Sequence, residues 1–227
     1  MAELVVALDF PQKKPALALA RQLEGSVSWL KVGLELFTAC GPKLITELKD
    51  SGFRVFLDLK FLDIPNTVAG AVTSACKLGA DMLTIHITGG RDMVRAALEA
   101  RDKTEKKCWL MGVTVLTSWN PKSFPWPESR SVKDVVTDFA DKANNWQLDG
   151  VVCSGREVKY LKSRFPHLQY ITPGIRLGTE HDDQKRIVTP EQAVADGSDF
   201  LVVGRPVTQA PDPQKAAYFF IQKLTAR

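Results

Sequence analysis

Cysteine is scarce in this chain. There are four in 227 residues (Cys40, Cys76, Cys108 and Cys153), widely separated and without a C-x-x-C pair. That excludes a disulfide-stapled scaffold and a zinc knuckle. Histidine is scarcer still: His86, His167 and His181 lack metal-ligand spacing, and no H-E-x-x-H occurs. No apolar run approaches the roughly 20 residues needed to span a bilayer. The N-terminus, MAELVVALDF, has no basic region ahead of its apolar stretch and meets Asp9 at once, so it does not read as a secretory leader. An excess of one charge is also missing. Thirty Lys and Arg against 26 Asp and Glu leave +4, and the densest run, RDKTEKK at 101–107, mixes signs. Nucleic-acid binders usually cluster basic residues on one face, so no such partner is expected. No G-x-G-x-x-G or G-x-x-x-x-G-K-[ST] appears, which removes the usual phosphate cradles of doubly wound and P-loop folds. Ser118 and Ser154 lack a G-x-S-x-G elbow. The expected setting is cytoplasmic, with no membrane partner.

What is present is a repeating pattern. Eight short apolar runs, rich in β-branched residues, lie at 4–8, 28–32, 53–59, 82–87, 109–116, 150–153, 168–172 and 200–203. Continuous rather than alternating apolar runs mark strands buried on both faces, as in a parallel sheet. Helical periodicity separates most of them, at 14–23, 41–49, 67–78, 92–100, 132–147 and 213–225. Pro42 stands at a helix entrance, while Gly52, Gly79, Gly150 and Gly197 follow helices. Strand and helix alternating through 227 residues predict one α/β domain over 1–227, a minimal TIM (β/α)8 barrel with parallel strands. No linker or low-complexity segment interrupts it.

In such a barrel the chemistry sits at the C-terminal strand ends. Asp9 ends strand 1, and strand 2 carries Lys31. Strand 3 carries Asp58 and Lys60, with Asp63 in the loop beyond (FLDLKFLDIPNT). Residues two apart share a strand face, so Asp58 and Lys60 are expected side by side. Burying them is costly unless they pair. With Lys31 and Asp63 they make two ammoniums and two carboxylates. A structural salt-bridge network is the competing reading; the position at barrel strand ends favours catalysis. His86 at the end of strand 4 reads as structural rather than as a base. Strands 7 and 8 end in Pro173-Gly174-Ile175-Arg176 and Gly204-Arg205. Loops there often hold phosphate: glycine lets the backbone approach closely, and arginine offers a bidentate fork.

These residues closely resemble a known family. FLDLKFLDIPNTV resembles the signature of the orotidine 5′-monophosphate decarboxylases, which make UMP and CO2 from orotidine 5′-phosphate in pyrimidine biosynthesis. VVALDF, LKVGLELF, GVTVLTS, DGVVCS, ITPGIR, the 183–186 stretch DQKR and VVGRPVTQAPDP are similar to the bacterial members, in order, along essentially the whole chain. The resemblance implies a cofactor-independent, metal-free carboxy-lyase. It implies a catalytic array of Lys31, Asp58, Lys60 and Asp63, with Lys60 as proton donor. Asp9 and Lys31 would hold the ribose hydroxyls, and Ser118 would contact the pyrimidine. Arg176, Gln184, Gly204 and Arg205 would hold the phosphate, Gln184 also closing over the ring; phosphate binding is expected to close 178–183 as a lid. Asp63 and Thr67 would reach into a partner's site, making the active unit a homodimer.

Two alternatives remain. Metal-dependent sugar-phosphate decarboxylases and aldolases of the same suprafamily share D-x-K-x-x-D, but carry Glu on strand 2 where it helps bind Mg²⁺. Lys31 stands there in this chain, and a cation repels a metal. A non-catalytic barrel binding a nucleotide phosphate is the other alternative.

Overall fold

A computed structural model describes residues 2–119, 125–127, 129–177 and 188–225. The strands are β1 (Glu3–Ala7), β2 (Trp29–Gly33), β3 (Arg54–Phe61), β4 (Met82–His86), β5 (Trp109–Val113), β6 (Gly150–Val152), β7 (Gln169–Thr172) and β8 (Phe200–Val203). All pair in parallel with their sequence neighbours, and β1 pairs with β8 to close the barrel. The helices are α1 (Lys13–Leu23), α2 (Leu34–Cys40), α3 (Lys43–Asp50), α4 (Pro65–Leu78), α5 (Gly90–Asp102), α6 (Val132–Asn145), α7 (Gly155–Arg164), α8 (Pro190–Asp196), α9 (Arg205–Thr208) and α10 (Pro213–Thr225). The expected α/β barrel is therefore the fold.

The core has two layers. One lies between strands and helices and contains most buried Leu, Val and Ala side chains. The other fills the barrel: Val5, Ala7, Trp29, Phe56, Met82, Met111, Ile171, Phe200 and Val202. Edge-on contacts of Phe200 with Trp29 and Trp109, at 5.5 and 5.4 Å between centroids, plug its lower part. Two residues further along β2, β3 and β4, the inward positions change character. Trp29 gives way to Lys31, Phe56 to Asp58 and Met82 to Thr84. The period of two thus sets a polar layer directly on an apolar plug.

A repeated device holds the lower rim. Asp81, Asp149 and Asp199 each sit one residue before an even-numbered strand. Each accepts a backbone N–H from the preceding odd strand: Val55 at 2.7 Å, Leu110 at 2.7 Å and Tyr170 at 2.8 Å. Each also pairs with a cation of the helix before that odd strand: Lys49, Arg101 and Lys162 respectively. One carboxylate therefore pins two strands and a helix.

Four helices go beyond the sequence expectation: α2, α7, α8 and α9. Helix α7 is polar enough to hide its periodicity, yet it carries a capping box. Ser154 accepts from the Arg156 N–H, and Glu157 accepts from the Ser154 N–H at 2.9 Å. Strand β5 stops at Val113, short of the expected 116, while β3 runs on to Phe61. The extension of β3 is irregular. Leu57 pairs with Leu83, but the next pairing is Phe61 with Ile85. Three residues of β3, 58–60, thus face Thr84 alone.

Candidate active site

The strand ends open into a cavity of about 660 Å³, a size ordinary for a small-molecule ligand. Its floor is apolar, from Ala7, Phe56, Val113, Val152, Ile171 and Val202. Its walls carry Asp9, Lys31, Asp58 and Lys60 together with Gly174, Arg176, Gly204 and Arg205. The two clusters expected from sequence, one charged and one of phosphate-site character, thus face one cavity.

The charged side chains form a continuous alternating chain. Asp9 Oδ1 lies 3.0 Å from Lys31 Nζ, Lys31 Nζ lies 3.8 Å from Asp58 Oδ2, and Lys60 Nζ lies 2.8 Å from Asp58 Oδ1. Asp58 and Lys31 are nearly buried, at 13% and 11% side-chain exposure. Asp9, at 61%, opens to solvent. Burial acts to raise the Asp58 pKa, but Lys60 and Lys31 together with hydrogen bonds from Lys60 and Thr84 outweigh it, leaving the carboxyl below its ordinary value. Burial, then the Lys60 ammonium, push His86 below its usual range. Asp58 is therefore ionised at neutral pH, and His86 beside the array is uncharged.

Lys60 reaches Asp58 by a route the sequence did not disclose. Its backbone is left-handed, with φ +51°, where non-glycine residues are uncommon. The plain two-residue repeat accounts for Lys31 and Asp58; Lys60 depends on the bulge. Bulges re-aim side chains and recur beside active sites. Gly33 shapes the same wall: a Cβ there would stand 2.9 Å from Lys31 Nζ.

The glycines and arginines beyond β7 and β8 line the same cavity. Gly174 adopts φ +79° after β7, a conformation glycine takes without penalty. Arg176 is buried, and its guanidinium donates to the Ile175 carbonyl at 2.9 Å. Arg205 opens α9 and is exposed.

Other expected residues are not brought into this cavity within the chain. Asp63 is exposed, and its Oδ1 accepts the Ile64 N–H at 2.6 Å. Thr67 is exposed on α4. Within this chain the carboxylate at the open end of the ion-pair chain is Asp9. Ser118 is exposed in the turn after β5, whereas its neighbour Thr117 lines the cavity. Gln184, the 183–186 stretch and the 178–183 lid lie outside the described residues. The sequence reading missed Thr84, whose signal was a lone hydroxyl inside the apolar strand MLTIH. It also missed Thr208 and Gln209, which line the cavity just beyond VVGRP.

A closed parallel barrel with an ion-pair chain above an apolar plug, sharing one cavity with the Gly and Arg residues just beyond β7 and β8, defines a (β/α)8 enzyme with a strand-end site. Comparison with known proteins narrows the class. The profile of the orotidine 5′-phosphate decarboxylase / HUMPS family matches residues 2–218. An orotidine 5′-phosphate decarboxylase of Maridesulfovibrio salexigens is 48% identical, covering 100% of both chains. One of Nitratidesulfovibrio vulgaris strain DP4 is 50% identical, covering 100% of this chain and 99% of its own. Among solved structures, the orotidine 5′-phosphate decarboxylase of Lactobacillus acidophilus superposes with a TM-score of 0.86 at 32% identity, covering 100% of both chains. The chain belongs to the orotidine 5′-phosphate decarboxylase / HUMPS family and is a carboxy-lyase of its decarboxylase branch, acting in pyrimidine biosynthesis.

Proposed function

We propose that Lys60 carries the chemistry of orotidine 5′-phosphate decarboxylation in this chain. The C6–carboxylate bond breaks, its electron pair stays on C6, CO2 leaves, and the Lys60 ammonium proton goes to C6. The observation that carries this reading is the Lys60 ammonium held 2.8 Å from Asp58 at the mouth of an apolar cavity. Such an ammonium stabilises developing negative charge before transferring its proton. Asp58 holds the Lys60 ammonium in place by their 2.8 Å contact. Asp9 and Lys31 bind the ribose hydroxyls, and Arg176, Gly204 and Arg205 bind the phosphate. Ser118 and Gln184 complete the ring and phosphate contacts.

Magnitudes set the division of labour. A pKa unit is worth about 1.4 kcal/mol, whereas the largest enzymatic accelerations require on the order of 20 kcal/mol. One acid–base pair is not enough. Binding energy from the phosphate wall, remote from C6, must help to assemble and dry the charged array.

The active unit in this reading is a homodimer, with Asp63 and Thr67 supplied across the interface. Both are exposed and off their own cavity, and Leu62 and Ile64 beside them are 54% and 67% exposed.

No cofactor or metal is invoked. Each cavity carboxylate among the described residues already faces an ammonium, and Lys31 repels a cation from the position between them. The test is loss of orotidine 5′-phosphate absorbance with excess chelator present. Unchanged turnover is expected. Turnover restored only by Mg²⁺ would establish the metal-dependent reading instead. UMP binding without turnover, indifferent to Lys60→Ala, would establish a binding barrel.

A further inference from the structure

The bulge in β3 leaves the Lys60 N–H without its place in the β3–β4 ladder. That N–H donates to Thr84 Oγ1 at 2.9 Å. The Thr84 hydroxyl donates in turn to Asp58 Oδ1 at 2.9 Å, the same oxygen that receives Lys60 Nζ at 2.8 Å. Thr84 is fully buried. A hydroxyl offers one donor and two acceptor lone pairs, so one side chain closes a ring through the backbone and the side chain of Lys60 and the carboxylate of Asp58. We infer that Thr84 is a positioning residue: its hydroxyl holds Lys60 in the left-handed conformation and fixes Asp58 beneath the ammonium, and turnover depends on it although it does not line the substrate cavity.

The physical reason is that left-handed backbone at a lysine is strained and persists only where its surroundings over-determine it. The ladder cannot do so at this point, because Thr84 alone faces three residues of β3. An apolar residue at 84 would leave a buried N–H unsatisfied and take one donor from Asp58. Lys60 would then relax towards an extended conformation, moving its Nζ away from the cavity.

This inference rests on Lys60 being the proton donor, and the experiment separates the two. Four variants are compared in steady-state decarboxylation, UMP binding and thermal melting: Lys60→Ala, Thr84→Val, Thr84→Ser and Thr84→Ala. Thr84→Val keeps the shape and removes the hydroxyl. It is expected to lower kcat about 100-fold, the effect of displacing a reacting group by around an ångström. KM and the UMP dissociation constant should change little, since the ribose and phosphate contacts remain. Thr84→Ser, which keeps the hydroxyl, should recover most of kcat. If Thr84→Val does not fold, Thr84→Ala against Thr84→Ser gives the same split between hydroxyl absent and present. A hydroxyl-free variant with near-native kcat overturns the inference, as does a serine variant no better than alanine. Turnover surviving in Lys60→Ala removes the proton-donor reading itself.

Discussion

A glycine and a carboxylate show how closely single side chains set this site. Gly33 has φ −94°, which alanine also adopts, so Gly33→Ala introduces no backbone strain. Its methyl would nonetheless lie 2.9 Å from Lys31 Nζ and 3.5 Å from Asp9 Oδ1. The flexible ammonium must shift. The expected outcome is a near-native melting temperature with kcat/KM lower by about tenfold or more, read by steady-state kinetics. Asp58 links the site to pH. Because its pKa is lowered in the folded state, its contribution to stability is present above the ordinary carboxylate value. That contribution is lost as pH falls through the depressed one. Urea midpoints for the native chain should therefore decline below about pH 4 more steeply than those of Asp58→Asn. At pH 7 that variant should itself be less stable by about 3 kcal/mol, since two ammoniums lose their shared partner.

At the scale of elements, strands and helices are coupled by side chains at the end of the barrel opposite the site. Asp149 bonds the Leu110 N–H and pairs with Arg101. Asp149→Ala should destabilise the fold by about 2 kcal/mol, mostly through the orphaned N–H rather than the partly exposed ion pair. Urea unfolding measures the loss, while kcat/KM at 25 °C should stay unchanged. The same scale explains what sequence periodicity caught. Amphipathic α1, α3, α4, α5 and α6 were legible because their buried stripes recur at helical spacing. Helix α7 escaped because its periodicity is diluted by charge, although Ser154 and Glu157 signalled its start. The bulge in β3 was invisible, since no glycine or proline marks residues 58–60. It arises where the β3–β4 register slips, a property of two strands together.

Across the whole molecule, the exposed segment 62–67 matters most. Leu34, Leu62 and Ile64 are each more than half exposed, and Asp63 lies between the last two. Exposed apolar side chains are a common mark of association surfaces. A second copy covering them fits a symmetric dimer whose sites are shared. Co-expressed Lys60→Ala and Asp63→Ala chains test this directly. Each alone should be inactive, while mixed dimers carry one intact site in two and should recover up to about a quarter of native activity. No recovery would confine each site to one chain. Among the described residues no helix is long and apolar enough to cross a membrane.

The sequence by itself determined the barrel and the layer at which chemistry occurs. Eight apolar runs need burial on both faces, and the period of two lifts Lys31 and Asp58 onto the apolar plug. It also marked Gly174, Arg176, Gly204 and Arg205, because strand ends in a closed barrel converge on one opening. Only the tertiary structure decided how Lys60 meets Asp58, that Asp9 completes the ion-pair chain, and that Asp63 and Thr67 lie off the cavity. Those outcomes depend on the register between β3 and β4 and on distances across the barrel mouth. A one-dimensional pattern carries neither, because each is set by atoms far apart along the chain.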